Sequence, residues 1–302
     1  MKDGPATAEA RTTPSTDRGR ALGGPVARPL PSVWWRALRN ELRLTFFRRR
    51  NLLLLAGLAA LPLVIGIAVK LYGDDGGGDH ANLATRITES GLFLAAVAFV
   101  VSMPLFLPLV VSVVVGDSLA GEAQLGTVRY AMIVPVSRTA WLALKALAVL
   151  VFVCGGVAAI FVVSLATGFG LFGADSMTLL SGDSISAGAG IVRIATMACY
   201  VVASMTGLIA VGLFISSLTE VPIAAMAGTA IIPALSTVCL AIPQLAVIHP
   251  GLLTRHWMDL TTFLFAQPDG GLLRTGLLVQ LAWVAIFGSL AWARVTSANI
   301  TA

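Results

Sequence analysis

Few residues of this 302-residue chain could do chemistry, and most of them gather in one polar stretch, Gly116 to Arg138. It reads Gly-Asp-Ser-Leu-Ala-Gly-Glu-Ala-Gln-Leu-Gly-Thr-Val-Arg-Tyr-Ala-Met-Ile-Val-Pro-Val-Ser-Arg. Glu122, Arg129, Tyr130 and Arg138 offer charge and an aromatic face, which suit contact with a partner better than bond-breaking. Catalytic patterns are missing elsewhere. No GxxxxGK[ST] occurs to cradle phosphates, and neither HExxH nor GxSxG is present. His249 and His256 lie seven residues apart, but no further His or Cys joins them, and His80 stands alone. Cys154, Cys199 and Cys239 each sit inside an apolar run, so neither zinc nor a disulfide framework is expected. A lipid-modifying membrane enzyme would need polar groups clustered at one depth, and none can be assembled. No catalytic residue and no metal site is expected, and no substrate-binding residue can be named.

The elements that must hold this polar stretch are apolar. Hydrophobic residues make up 57% of the chain and charged ones only 12%, against about 25% charged in soluble domains. Such a composition belongs to a polytopic membrane protein. The net charge of +5 does not point to nucleic acid, because eleven of the twenty Lys and Arg precede Asn51. Positive charge crowded before a first span is a topology signal.

Uncharged intervals run over 51–69, 90–116, 146–174, 194–219, 221–248 and 275–293. A bilayer crossing takes about 20 helical residues, so each interval can hold one span. Both termini are expected in the cytoplasm, since that orientation places the N-terminal basic cluster, Arg129, Arg138, Lys145 and Arg294 inside. Only Lys70, Arg86, Arg193, Arg255 and Arg274 then fall outside. The expected fold is all-α and polytopic: an amphipathic N-terminal helix over 33–50, then six spans over 51–295. A disordered cytoplasmic tail is expected over 1–32, rich in Pro, Gly, Thr and Arg, and a short one over 296–302. No signal peptide is expected, for want of an apolar run near Met1.

Within 33–50, Trp34, Trp35, Leu38, Leu42 and Phe46 share an arc of about 120°, with Arg36, Arg39, Arg43 and Arg50 on the neighbouring arc. Such a helix lies in the membrane interface, anchored by Trp34, Trp35, Arg36, Arg39 and Arg43 against headgroups. Pro104 and Pro108 share one face and should bend the second span. The 249–274 loop is long and partly apolar, which fits a short helix dipping into the outer leaflet. No Asp, Glu, Lys, Arg or His falls within the uncharged intervals, and this argues against an ion-coupled carrier, which needs ionisable groups near the midplane. Energy, if used, must come from outside the membrane.

The polar stretch is then a cytoplasmic connector. Asp117 to Leu125 can extend the second helix beyond the bilayer, Gly126-Thr127 permits a turn, Pro135 ends the following element, and Ser137 can cap the third span. The order Gly121-Glu122, Gly126-Thr127, Pro135, Ser137-Arg138 and Lys145 resembles the permease subunits of type-2 ATP-binding cassette transporters. The likeness in architecture covers 33–295, and the close motif match covers 116–145. Ala131-Met132 departs from the Leu pair frequent in that family, and the N-terminal tail has no counterpart. The resemblance implies an interfacial elbow helix, six spans, an outer re-entrant loop at 249–274 and a coupling segment at 116–145. It implies that Glu122, Gly126, Thr127, Arg129, Tyr130, Pro135, Ser137 and Arg138 lie at the contact with a nucleotide-binding subunit. The implied partners are two ATP-binding subunits, a second permease subunit, identical or similar, and membrane lipid, with no nucleic acid. ATP and Mg would be bound by the partner, and this chain would hold no cofactor. The implied activity is export of a drug, peptide or lipid-like cargo across a bacterial inner membrane. The alternative is a membrane sensor or immunity protein that moves nothing.

Overall fold

The computed structural model describes residues 31–72, 87, 90–125, 137–173 and 177–297. Among them are eight α-helices: α1 (Pro31–Phe46), α2 (Arg49–Tyr72), α3 (Gly91–Ser102), α4 (Phe106–Gln124), α5 (Arg138–Phe172), α6 (Ala187–Leu218), α7 (Pro222–Leu240) and α8 (Gly270–Ser297). Six of them, α2 and α4 to α8, are long and apolar enough to cross a membrane. The chain is an all-α, multi-pass membrane protein. Its one strand pairing among the described residues is a ribbon of Met177–Thr178 with Ser184–Ile185.

The second uncharged interval holds two helices rather than one. Residues 103–105 form a turn between α3 and α4. Pro104 has no N–H to give; Met103 before it keeps helical backbone, and the helix breaks at Leu105, whose φ of −128° and ψ of −58° leave the helical region. α3 then packs on α5, while α4 packs between α6 and α7. The first of these contacts is backbone on backbone: a Cβ on Gly168 of α5 would strike the Gly91 carbonyl of α3, and a Cβ on Gly91 would strike that of Gly168. The core lies between α3, α4, α5 and α6, where Phe93, Phe99, Val111, Phe152, Ile160 and Leu208 are fully buried. By contrast α2, α7 and α8 keep much of their apolar surface exposed.

α1 ends at Phe46, four residues short of the expected limit. Asn51 at the head of α2 is buried, and its Nδ2 donates to the Thr45 carbonyl at 2.7 Å. That bond satisfies a carbonyl left open where the helix stops and turns the chain into the first span. Arg50 therefore belongs to α2. On α1 itself Leu38 is buried, Trp34, Leu42 and Phe46 are half-buried, and Trp35 is 65% exposed, so Trp35 stands off the packed face. Arg36, Arg39 and Arg43 are exposed.

The 241–268 stretch consists largely of 3-10 turns, at Pro243–Leu245, His249–Gly251 and Trp257–Leu264. Trp257, Leu260 and Leu264 are buried against its neighbours, α6 and α8 among them. Such backbone leaves carbonyls without the regular bonds of an α-helix, and side chains of the spans reach several of them. Trp283 Nε1 donates to Gly251 at 3.0 Å, Gln280 Nε2 to Leu253 at 2.9 Å and the Tyr200 hydroxyl to His256 at 2.7 Å.

Candidate functional site

At one end of the bundle, α1 meets the start of α2, the end of α4 and the start of α5. Ser137 caps α5, its Oγ accepting from Ala140 N at 3.2 Å with extended backbone of its own. Two turns into that helix stands Lys145, with a side chain only 4% exposed. Its Nζ donates to Glu41 Oε1 of α1 at 2.6 Å and pairs with Glu122 Oε1 of α4. The Trp141 ring, one turn earlier on α5, lies 5.8 Å from the ammonium and shields it. One buried cation therefore ties the two successive helices α4 and α5 to α1, about a hundred residues earlier in sequence.

A second ion group sits one turn earlier on α4. Asp117 Oδ2 accepts from Arg48 at the bend after α1 and from Arg50 NH2 of α2 at 3.0 Å. Its side chain is 12% exposed, against 41% and 42% for the two arginines. A cavity of about 30 Å³ lies between the two ion groups, lined by Glu41, Arg48, Asn51, Asp117, Glu122 and Lys145 among others. Water fits a polar cavity of that size.

α4 is gripped a third time, from α6. The Ser216 hydroxyl donates to the Gly116 carbonyl at 2.8 Å and accepts from Leu119 N at 3.2 Å and Ala120 N at 3.0 Å. Gly116 O and Ala120 N are the pair an α-helix joins directly, so the hydroxyl shares in the ladder of α4 at this point. On the other side of Gly116, a Cβ would sit 2.6 Å from Met226 N of α7, so only glycine allows α4 and α7 to approach this closely. Residues Gly116–Glu122 are thus held by α1, α2, α5, α6 and α7 together.

Arg138 goes elsewhere. Its NH1 donates to the carbonyls of Val295 at 3.3 Å and Thr296 at 3.0 Å, at the end of α8. A cation on the last carbonyls of a helix also meets the negative end of its dipole. Trp292 Nε1 adds a bond to Thr139 Oγ1 at 3.0 Å.

Of the residues the sequence placed in the coupling segment, the structure brings Glu122 into the ion cluster, puts Ser137 at the head of α5 and ties Arg138 to α8. Gly126, Thr127, Arg129, Tyr130 and Pro135 lie outside the described residues. Sequence reasoning put Lys145 in the motif but not in the site, and missed Glu41, Asp117, Arg48 and Ser216. Glu41 did leave a signal: it is the sole carboxylate of α1, on the same side as buried Leu38. The uncharged intervals themselves hold no Asp, Glu, Lys, Arg or His, but the helices that carry them reach past those limits, so Asp117, Glu122 and Lys145 are helical and largely buried. Among the described residues no group of three or more His, Cys, Asp or Glu could hold a metal.

Comparison with the curated proteins finds no match. The cluster's second and third span components, Asp117, Glu122 and Lys145, fall within residues 81–294, which match the family described as "Protein of unknown function (DUF2705)", and the chain belongs to that family.

Proposed function

We propose that this chain is the permease subunit of a type-2 ATP-binding cassette exporter, set in a bacterial inner membrane with both termini in the cytoplasm. The observation that supports this best is Lys145, paired at once with Glu41 of the interfacial helix and Glu122 at the end of α4. The connector 126–136 joins the two helices that carry Glu122 and Lys145. A displacement of that connector would pull on α1, α4 and α5 together, because a buried cation cannot leave its carboxylates cheaply. Two separate nucleotide-binding subunits, carrying ATP and Mg, would press on the connector. A second permease subunit, identical or similar, would complete the pathway for a drug, peptide or lipid-like cargo. The chain itself would bind no cofactor and hydrolyse nothing, its part being to convert the partner's closure into movement of spans. In this reading 249–269, the part of the expected 249–274 loop that precedes α8, is the outer re-entrant loop, and its Gly251, Leu253 and His256 carbonyls accept from Trp283, Gln280 and Tyr200, as non-helical backbone at membrane depth requires.

The test is ATP turnover and cargo movement by the chain purified with a nucleotide-binding subunit encoded beside it. Glu122→Ala and Arg129→Ala should each lower coupled turnover by about tenfold while the complex stays assembled on gel filtration. Turnover unchanged in both variants would contradict the coupling role.

A further inference from the structure

Arg138 opens α5, yet its guanidinium reaches the end of the last span. NH1 donates to the carbonyls of Val295 and Thr296, and the next residue, Thr139, accepts from Trp292 Nε1. Val295 and Thr296 lie among the last four residues of α8, whose carbonyls an α-helix leaves without an internal partner. The head of α5 and the end of α8 are thus fastened twice, once by a charge and once by an indole.

From that fastening α8 runs back to the opposite end of the bundle. Its 28 residues include no proline and span about 42 Å. Near its other end, Gly276, Gln280 and Trp283 fall on one face, four and three residues apart. All three meet the 3-10 stretch. A Cβ on Gly276 would stand 2.9 Å from His256 Cβ, so the helix lies directly against that residue. Gln280 and Trp283 donate to the Leu253 and Gly251 carbonyls. Gln280 is 2% exposed, and a buried amide in a span is costly unless its donors are used. One continuous helix is therefore held by α5 at one end and holds irregular backbone near the other. Its hydrogen-bond ladder resists stretching, so a shift imposed on its end carries along the helix, and packed helices slide past their neighbours by small shear.

We propose that Arg138 is a positioning residue that passes displacement of the α5 head to α8, and through α8 to the Gly251–His256 backbone. The inference rests on the permease reading above, in which the connector moves α5. Within that reading α5 is the element common to both linkages. Lys145, two turns into the helix, ties it to α1 and α4, and Arg138 at its head ties it to α8. Movement started at one end of the bundle then reaches the other through a side chain that contacts neither the 3-10 stretch nor its carbonyl donors directly.

Amide hydrogen exchange tests this on the full chain purified with the nucleotide-binding protein encoded beside it, without nucleotide and with Mg-ATP and vanadate. Wild type should show a nucleotide-dependent change in exchange at 137–141 and again at 249–257. Arg138→Met keeps the apolar stem and deletes the donors. It should preserve the change at 137–141 and shrink that at 249–257 about tenfold, the scale of a lost charge-assisted hydrogen bond. Arg138→Lys, again a cation able to reach a carbonyl, should restore most of the response. Thr139 is exposed, so Thr139→Val removes the acceptor of Trp292 without disturbing the core, and should shrink the change at 249–257 about threefold. A cap that serves only the stability of α8 gives a different result: faster exchange at 290–297 in Arg138→Met, with the change at 249–257 intact. That result would overturn the proposal. So would a wild-type change at 137–141 with none at 249–257, which leaves the permease reading standing. No change at either place would contradict that reading and the proposal with it.

Discussion

Around Lys145 two carboxylates face one cation, so the trio with Glu41 and Glu122 carries a net negative charge, next to a second group in which Arg48 and Arg50 outnumber Asp117. The two groups neutralise each other as a set, and so each depends on the other. Removing one partner from a buried pair is the costly change, because the charge left behind stays desolvated. Lys145→Met should destabilise the protein by about 3 kcal/mol, at the low end for broken buried pairs since the glutamates keep some water. A fall in melting temperature in detergent checks this, and the triple variant with Glu41→Gln and Glu122→Gln should recover part of the loss. Ser216 makes a smaller claim on the same helix. Ser216→Ala leaves the Gly116 carbonyl without its hydroxyl donor, and the expected loss is about 1 to 2 kcal/mol by the same measurement. These residues were only partly legible in the sequence. A lone Glu41 among arginines on a packed face is a readable anomaly, whereas a serine that enters another helix's hydrogen-bond ladder looks like any other serine in an apolar run.

α3 and α5 meet through Gly91 and Gly168, where each backbone occupies the place a side chain would need. Gly168→Val must push the two helices apart, and overpacking of this kind should cost about 2 to 3 kcal/mol. Gly57 of α2 has nothing within 4 Å of its Cβ position, so Gly57→Val should change stability by no more than about 0.5 kcal/mol. Thermal denaturation of the two variants side by side separates a packing glycine from one facing lipid. The two look alike in sequence, since small residues are frequent in membrane helices and only the structure shows which of them touch. Spans fared better, because long uncharged intervals report the cost of burying charge in lipid directly. The break at Met103–Leu105 was legible as a proline but not as a separation, since whether a proline bends or breaks a helix depends on what its halves pack against. In the 241–268 stretch, Tyr200→Phe together with Gln280→Leu removes the side-chain donors to the carbonyls of His256 and Leu253, leaving His256 only its bond from Asp259 N at 3.3 Å. Limited proteolysis should then cut that stretch markedly faster than in wild type.

Seen as one molecule, the bundle has two differently built ends. At one, charged side chains bind α1, α2, α4 and α5 to each other, and at the other, side chains of the spans hold turns of irregular backbone. At the first end the Lys145 ammonium, 4% exposed, ties α1, α4 and α5 to one point, so a displacement of one of these helices strains its pairs with the others. For that reason the connector between α4 and α5 is proposed as the point where a nucleotide-binding partner acts. The six-span architecture was legible from hydropathy alone. The partner and the face it meets were expectations drawn from the motif around Glu122 and Lys145, which periodicity by itself cannot supply. The most direct measurement is a photo-reactive amino acid placed at Arg129, in membranes that also contain the nucleotide-binding protein encoded alongside. An adduct with that protein is expected on irradiation, with labelling of the same position by impermeant reagents only from the cytoplasmic side. An adduct confined to lipid, or labelling from the outer side, would contradict it.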